Sequence, residues 1–190
     1  GTDRAEGLLH GLKVASSGGF CGVAPVASTR PCRDQPAEVR MLTATSAHTV
    51  TAALPVAAVS EGRNGIQLTE AQALVNAGAL AFSDDAPIDR PELLRRALEY
   101  HQNLGTRIFS EATDPTFQPE GLMHEGPTST QLGLPGVSEE GETLRIHRDL
   151  DLLRYSGGKL HIPIVTSASG ISAIREAKKE GLDVTCGTSV

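Results

Sequence analysis

The chain has 190 residues, enough for one domain with a core of its own. Its 17 basic and 23 acidic residues leave a net charge of -6, which favours solubility and argues against nucleic acid or an anionic membrane as partner. Aromatic residues make up only 3 %, with no Trp, so a base-stacking platform is not expected either.

In chain order, Leu8, Leu12 and Ala15 recur at helical spacing ahead of Gly18-Gly19, and 20–26 reads as a buried strand. Asp34 is positioned to cap a helix running to about Ser46, with Pro36 near its start. Residues 49–59 are β-prone and mostly apolar, which suits a strand covered on both faces; the longest apolar stretch, Val50 to Val59, is broken by Pro55 and far too short to span a bilayer. Thr69 and Gln72 have capping-box spacing before Leu74 and Val75, and Gly78 can end that helix. Residues 79–83 form the next strand, closing on Asp84-Asp85. Asp89 and Glu92 flank Pro91 at the start of a helix whose apolar side is Leu94, Ala97, Leu98 and His101 and whose stop is Gly105.

Residues 107–109 are a short strand, and 113–137 read as a long connection without periodicity, a length often used for functional lids. Ser138 opens a helix with Glu139 and Glu140 in its first turn, where the helix dipole favours acids, and Gly157-Gly158 end it. Residues 159–165 are a strand, Ser169 caps a helix burying Ile171, Ile174 and Ala177, and Leu182 begins another strand. Repeated strand-then-helix units with strands apolar throughout specify an α/β fold with a parallel sheet covered by helices. It closes either as an open doubly wound sheet or as a barrel. No GxGxxG follows the first strand and no GxxxxGK[ST] occurs, so a nucleotide-binding open sheet lacks its usual signature. About six strands are countable against the eight of a full barrel, so a barrel here is a partial one.

The N-terminus, Gly1-Thr2-Asp3-Arg4-Ala5-Glu6, shows no basic segment followed by an apolar one and is not expected to be a signal peptide; without an initiating Met, it suits a processed or partial product. Cys21, Cys32 and Cys186 form no CxxC pair, which points to structural thiols in a reducing cytoplasm.

Several segments carry a resemblance. Leu80-Ala81-Phe82-Ser83-Asp84-Asp85 ends a strand, Glu92 to Tyr100 forms the helix after it, and Gly121-Leu122-Met123-His124-Glu125-Gly126 continues through Ser129 to Leu132-Gly133-Leu134-Pro135-Gly136. Together with 11–20, 174–178 and 181–185 they stand in one collinear order over nearly the whole chain. The chain thereby resembles the dihydroorotases of the cyclic amidohydrolase superfamily. The resemblance implies a (β/α)8 TIM barrel of the metal-dependent hydrolase type, with residues 1–190 as a single partial barrel domain. It also implies zinc as cofactor in an active member, interconversion of carbamoyl aspartate and dihydroorotate, a homo-oligomer, and a cytoplasmic place in pyrimidine synthesis.

The departures from that pattern are as specific as the matches. Where the family's "HAED" run places a metal-binding His, this chain has Glu111-Ala112-Thr113-Asp114, and the next metal His falls on Ile164, which has no lone pair to donate. The family's substrate-binding "MPNTNP" corresponds to Val26-Ala27-Ser28-Thr29-Arg30-Pro31, without either Asn. The metal candidates left by position are Asp85 and Glu111; Asp84-Asp85 also reads as a turn or cap device, and Glu111 as a polar remnant of the pocket. His161 lies an odd number of residues before Ile164, which on a regular strand puts it on the opposite face as a packed or hydrogen-bonded His. His124 and Glu125 fall on the long connection; His10, His48, His101 and His147 fall on helices or helix ends. Ser28, Ser167 and Ser169 show no nucleophile-elbow motif.

Two functions follow from the resemblance. One is an inactive dihydroorotase-like scaffold with a structural or regulatory role, holding no zinc, for which the family implies aspartate transcarbamoylase as partner. The other is an active zinc-dependent cyclic amidohydrolase with altered ligands, Asp85 and Glu111 among them.

Overall fold

A computed structural model describes residues 7–114, 116–117 and 121–189. Elements follow in the order α1 (Leu8–Ser17), β1 (Gly22–Val23), α2 (Pro36–Ser46), β2 (Ala52–Ala53), β3 (Val56–Ala57), α3 (Ala71–Asn76), β4 (Ala81–Ser83), α4 (Pro91–Leu104) and β5 (Arg107–Phe109). Then come β6 (Met123–His124), α5 (Pro127–Leu132), β7 (Gly136–Val137), α6 (Glu139–Ser156), β8 (Leu160–Ile162), α7 (Ala168–Lys179) and β9 (Val184–Cys186).

Every strand pair is parallel. The main sheet has the order β3-β4-β5-β8-β9, and β1 pairs with β2 at its leading end. Among the described residues the order never reverses, so they contain no switch point of the kind a doubly wound sheet has. The helices form one continuous layer in the same sequence, α1 on α2, α2 on α3, α3 on α4, α4 on α6 and α6 on α7. Sequential parallel strands with helices on one side are an arc of a barrel, and this decides between the two closures open at the sequence level.

One row of side chains holds sheet and helices together. The register pairs Ala57 with Phe82, Phe82 with Ile108, Ile108 with Leu160 and Leu160 with Val184. All five are buried against Leu94, Leu98, Ile146, Leu150, Leu153 and Ile174 from the helix layer. The adjoining row, Ser83, Phe109, His161 and Thr185, points to the other face by the two-residue period of a strand. That face is the interior side of the arc.

Several local expectations change in detail. Residues 20–26 give a strand of only Gly22–Val23, with Phe20 exposed, and the run 49–59 divides into β2 and β3 around Pro55, which has no N–H for a ladder. Asp34 does not cap α2; Gln35 stands at the cap, and the Asp34 carboxylate accepts from the Gly62 amide at 2.7 Å. Thr69 likewise spends its hydroxyl on the Ala58 carbonyl at 2.8 Å rather than on α3. In both cases a tertiary acceptor or donor outcompetes the local one. Ser167, not Ser169, caps α7, its Oγ accepting from Gly170 N, and Ile171 lies on the exposed side of that helix. Of the connection expected at 113–137, residues 115 and 118–120 lie outside the described residues, while within 121–137 β6 and β7 pair in parallel around α5. Ser138 caps α6 as expected, and Gly105 ends α4 in the left-handed region at φ 69°.

His101 belongs to the core. It is 2 % exposed, packs against Phe82 with ring centroids 4.2 Å apart and planes tilted by 60°, and shares a 2.7 Å hydrogen bond between Nδ1 and Thr106 Oγ1. Burial holds its pKa down to about 4, against 6.5 for a free imidazole. A His with a depressed folded-state pKa contributes stability at neutral pH that is lost as pH falls below the unfolded value. Between pH 7 and pH 5 this group alone is expected to remove about 2 kcal/mol of unfolding free energy. Urea denaturation across that range checks it: His101→Gln should flatten the slope, and an unchanged slope would remove His101 as its source.

Candidate functional site at the strand-end rim

The carboxyl ends of β1, β3, β4, β5 and β8 gather the residues singled out by sequence. In a barrel this is the face where loops carry chemistry. The loop after β1 is set by Arg33, 5 % exposed, whose Nη1 donates to the carbonyls of Pro25, Val26 and Val56, each at 2.9 Å. Those bonds present Ser28 to the end of β4, where its hydroxyl donates to Asp85 Oδ2.

The two aspartates after β4 do different work. Asp84 is buried, and its carboxylate accepts from Val59 N and Ser60 N at 2.9 Å and from Ser60 Oγ at 2.6 Å. It ties the ends of β3 and β4 together. Asp85 is half-buried with φ 50°, a left-handed conformation rare for a residue with a side chain. Arg63, itself at φ 59°, donates from Nε to Asp84 O at 2.6 Å and from Nη2 to Asp85 O at 3.3 Å. Both non-glycine residues of positive φ among the described residues therefore meet at this rim. Such outliers persist only where the surroundings overdetermine them.

Ser83 and Phe109 are register partners, so Asp85 and Glu111 each lie two residues beyond a paired position on neighbouring strands. The half-buried Glu111 carboxyl is pushed above the usual range, first by burial and then by the Asp85 charge, with Arg63 pulling the other way. The structure thus brings together Ser28, Arg63, Asp85 and Glu111.

Ile164 reaches the rim through an irregularity. Gly187 N donates to Ile162 O at 3.0 Å, and a regular parallel ladder would next pair the Ile164 amide with Gly187 O. The Val165 amide makes that bond instead, at 2.9 Å. One extra residue is therefore accommodated at Pro163-Ile164, a β-bulge. Val165 takes the helix-facing place and is buried in the core, while Ile164 is 53 % exposed. The bulge resets the alternation, so the odd spacing of His161 and Ile164 does not put them on opposite faces. His161 itself is half-buried on the interior row, sharing a 2.8 Å hydrogen bond with Thr185 Oγ1 and lying 4.7 Å from the Phe109 ring.

The other His candidates stand apart from the rim: His10, His48, His124 and His147 are exposed, as is Glu125. Sequence reading missed Arg33, Arg63, Glu142 and Arg145, isolated charges with no motif around them.

Whether these residues fit a zinc ion is a matter of donors. A zinc site takes three or four protein ligands, deprotonated and convergent. Here the rim offers two carboxylates. Asp85 is engaged by Ser28, Glu111 has its carboxyl raised above the usual range by burial and the Asp85 charge, and Ile164 offers nothing. Among the described residues no group of three or more His, Cys, Asp or Glu is placed to hold a metal. The donor set in this chain does not fit zinc.

Fold and rim together define an amidohydrolase-type barrel arc. Residues 2–169 match the family model described as dihydro-orotase-like, and the chain belongs to that family. It is 39 % identical to a dihydroorotase of Deinococcus radiodurans over 188 residues, covering 98 % of this chain and 45 % of that protein. Against a dihydroorotase of Syntrophobacter fumaroxidans it is 39 % identical, covering 100 % of this chain and 44 % of that protein. The chain therefore spans a little under half the length of the curated relatives it matches. Among solved structures, an L-hydantoinase (dihydropyrimidinase) from Arthrobacter aurescens superposes with a TM-score of 0.72 at 16 % identity, covering 94 % of this chain and 41 % of that one. A D-hydantoinase from Bacillus sp. AR9 gives 0.67 at 16 % identity, over 94 % and 41 %. At such identities the likeness speaks for the fold. No described helix is long and apolar enough to cross a membrane.

Glu111 supplies a test of the rim's electrostatics. A carboxyl whose folded-state pKa is raised costs stability once pH rises past the unfolded value near 4.5 and through the folded one. Glu111→Gln is therefore expected to raise the melting temperature at pH 7, with the gain shrinking to nothing below pH 4.5. Destabilisation at pH 7 would mean that the carboxylate has a favourable partner.

Proposed function

We propose that this chain is a dihydroorotase-like scaffold whose portion of the metal site has been replaced, and that it serves a structural or regulatory role in pyrimidine biosynthesis. An aspartate transcarbamoylase is the partner to test first, and the cytoplasm the compartment. The observation that carries this reading is Ile164: a half-exposed apolar side chain stands where the family pattern puts a metal-binding imidazole. Glu111 at the other imidazole position and Ser28 in place of an Asn support it. The core supports it from the other side, because the helix-facing row is complete while the rim has changed. Loss of strand-end chemistry leaves a barrel's packing intact.

A second reading, an active cyclic amidohydrolase with altered ligands, draws on the adjacency of Asp85 and Glu111 at neighbouring strand ends. The two readings separate cleanly. The purified full-length protein is assayed for cyclisation of carbamoyl aspartate, with metal content measured by mass spectrometry. The scaffold reading predicts no stoichiometric zinc and no turnover. Stoichiometric zinc with turnover that Glu111→Ala and Asp85→Ala abolish would establish the second reading instead.

A further inference from the structure

Three residues on one face of α6 each reach a different part of the rim. Glu142, Arg145 and Asp149 are spaced i, i+3 and i+7, which stacks them along a single stripe of the helix. The Glu142 carboxylate accepts from the Thr166 amide at 3.0 Å and its hydroxyl at 2.6 Å, and from the amide of Ser167 at 2.9 Å and its hydroxyl. Both residues belong to the loop after β8, directly beyond Ile164 and Val165. These bonds hold Glu142 below the ordinary carboxylate range, against the effect of its burial.

One turn on, the Arg145 guanidinium, 9 % exposed, donates from Nη2 to Asp89 at 2.6 Å and from Nε to Asp114 at 3.1 Å. Asp89 lies in the loop after β4 that carries Asp85, and Asp114 in the loop after β5 that carries Glu111. Asp114 in turn accepts from the amide and hydroxyl of Thr116 at 2.9 and 2.6 Å. A further turn along, the buried Asp149 accepts from Ser110 Oγ at 2.6 Å, at the end of β5, and from Arg148 Nε at 2.8 Å. Arg148 closes the network by donating from Nη2 to Ile88 O at 2.9 Å.

A surface ion pair contributes little, but Arg145 and Asp149 are buried, and the charge-assisted bonds of Glu142 to Thr166 and Ser167, of Arg145 to Asp89 and Asp114, and of Asp149 to Ser110 join the helix to strand-end loops. We propose that the Glu142–Arg145–Asp149 stripe is a positioning device that presets the loops after β4, β5 and β8. On this inference the rim that carries Asp85, Glu111 and Ile164 keeps its shape through side chains of the helix layer and does not need a metal to hold it. The inference stands whichever of the two functional readings is right.

Hydrogen exchange measured by mass spectrometry on the full chain tests it. Removing a charge-assisted bond should open its own loop roughly tenfold or more. Glu142→Gln is expected to speed exchange in 164–170 and leave 86–90 and 111–114 unchanged. Arg145→Met is expected to do the reverse, and neither should alter the strand amides of β4, β5 and β8. Should Arg145→Met fail to fold, Asp89→Asn, at a side chain 67 % exposed, is expected to loosen 86–90 alone. Uniform acceleration that includes the core strands, or no change in the addressed loop, would overturn the proposal. A metal-organised rim would instead show itself as loss of protection in all three loops when the wild-type chain is treated with a chelator.

Discussion

The burial of one row of side chains, Ala57, Phe82, Ile108, Leu160 and Val184, against a single layer of helices is the contact on which the rest of the structure depends. Each fully buried Val, Leu, Ile or Phe contributes about 1.5–3 kcal/mol relative to exposure, so the row and its helical partners are the main store of stability. Because the strands run parallel and in chain order, the same register that aligns this row also aligns the adjoining Ser83–Phe109 pair and the residues two beyond it. Asp85 and Glu111 are neighbours for that reason. The core thus fixes where rim residues sit without fixing what they are.

That separation explains how the family's architecture coexists with changed chemistry. At the rim, burial and like charge raise the Glu111 pKa, a serine hydroxyl occupies Asp85, and a bulge carries Ile164 out of the helix-facing row. None of these residues contributes to the apolar row. The loops are tied by hydrogen bonds and ion pairs to charged side chains of α6.

Much of this was legible in the sequence. The strand-helix alternation, the Ser138 cap, the Gly105 stop and the departures at Ser28, Glu111 and Ile164 could all be read directly, because each depends on local pattern or on collinear motifs. What could not be read depends on tertiary partners. Asp34 and Thr69 have the chemistry of helix caps, and distant groups at Gly62 and Ala58 claim them instead. The division of labour between Asp84 and Asp85 requires knowing that β3 lies beside β4. The bulge at Pro163-Ile164 requires the β9 ladder, without which period-two counting assigns His161 and Ile164 to opposite faces. Arg63 and Arg145 carry no motif, and only the fold reveals what they hold.

The separability of core and rim is tested most directly by chemical denaturation of Ile164→His. This substitution places an imidazole at the half-exposed end of β8 while leaving Val165 and Ile162 in the core. If rim identity is independent of packing, the unfolding free energy should stay within about 0.5 kcal/mol of wild type, as for other surface changes away from structural features. A loss of roughly 2 kcal/mol or more, in the range of buried large-to-small substitutions, would show that Ile164 is part of the core and that its presence reflects packing rather than discarded chemistry.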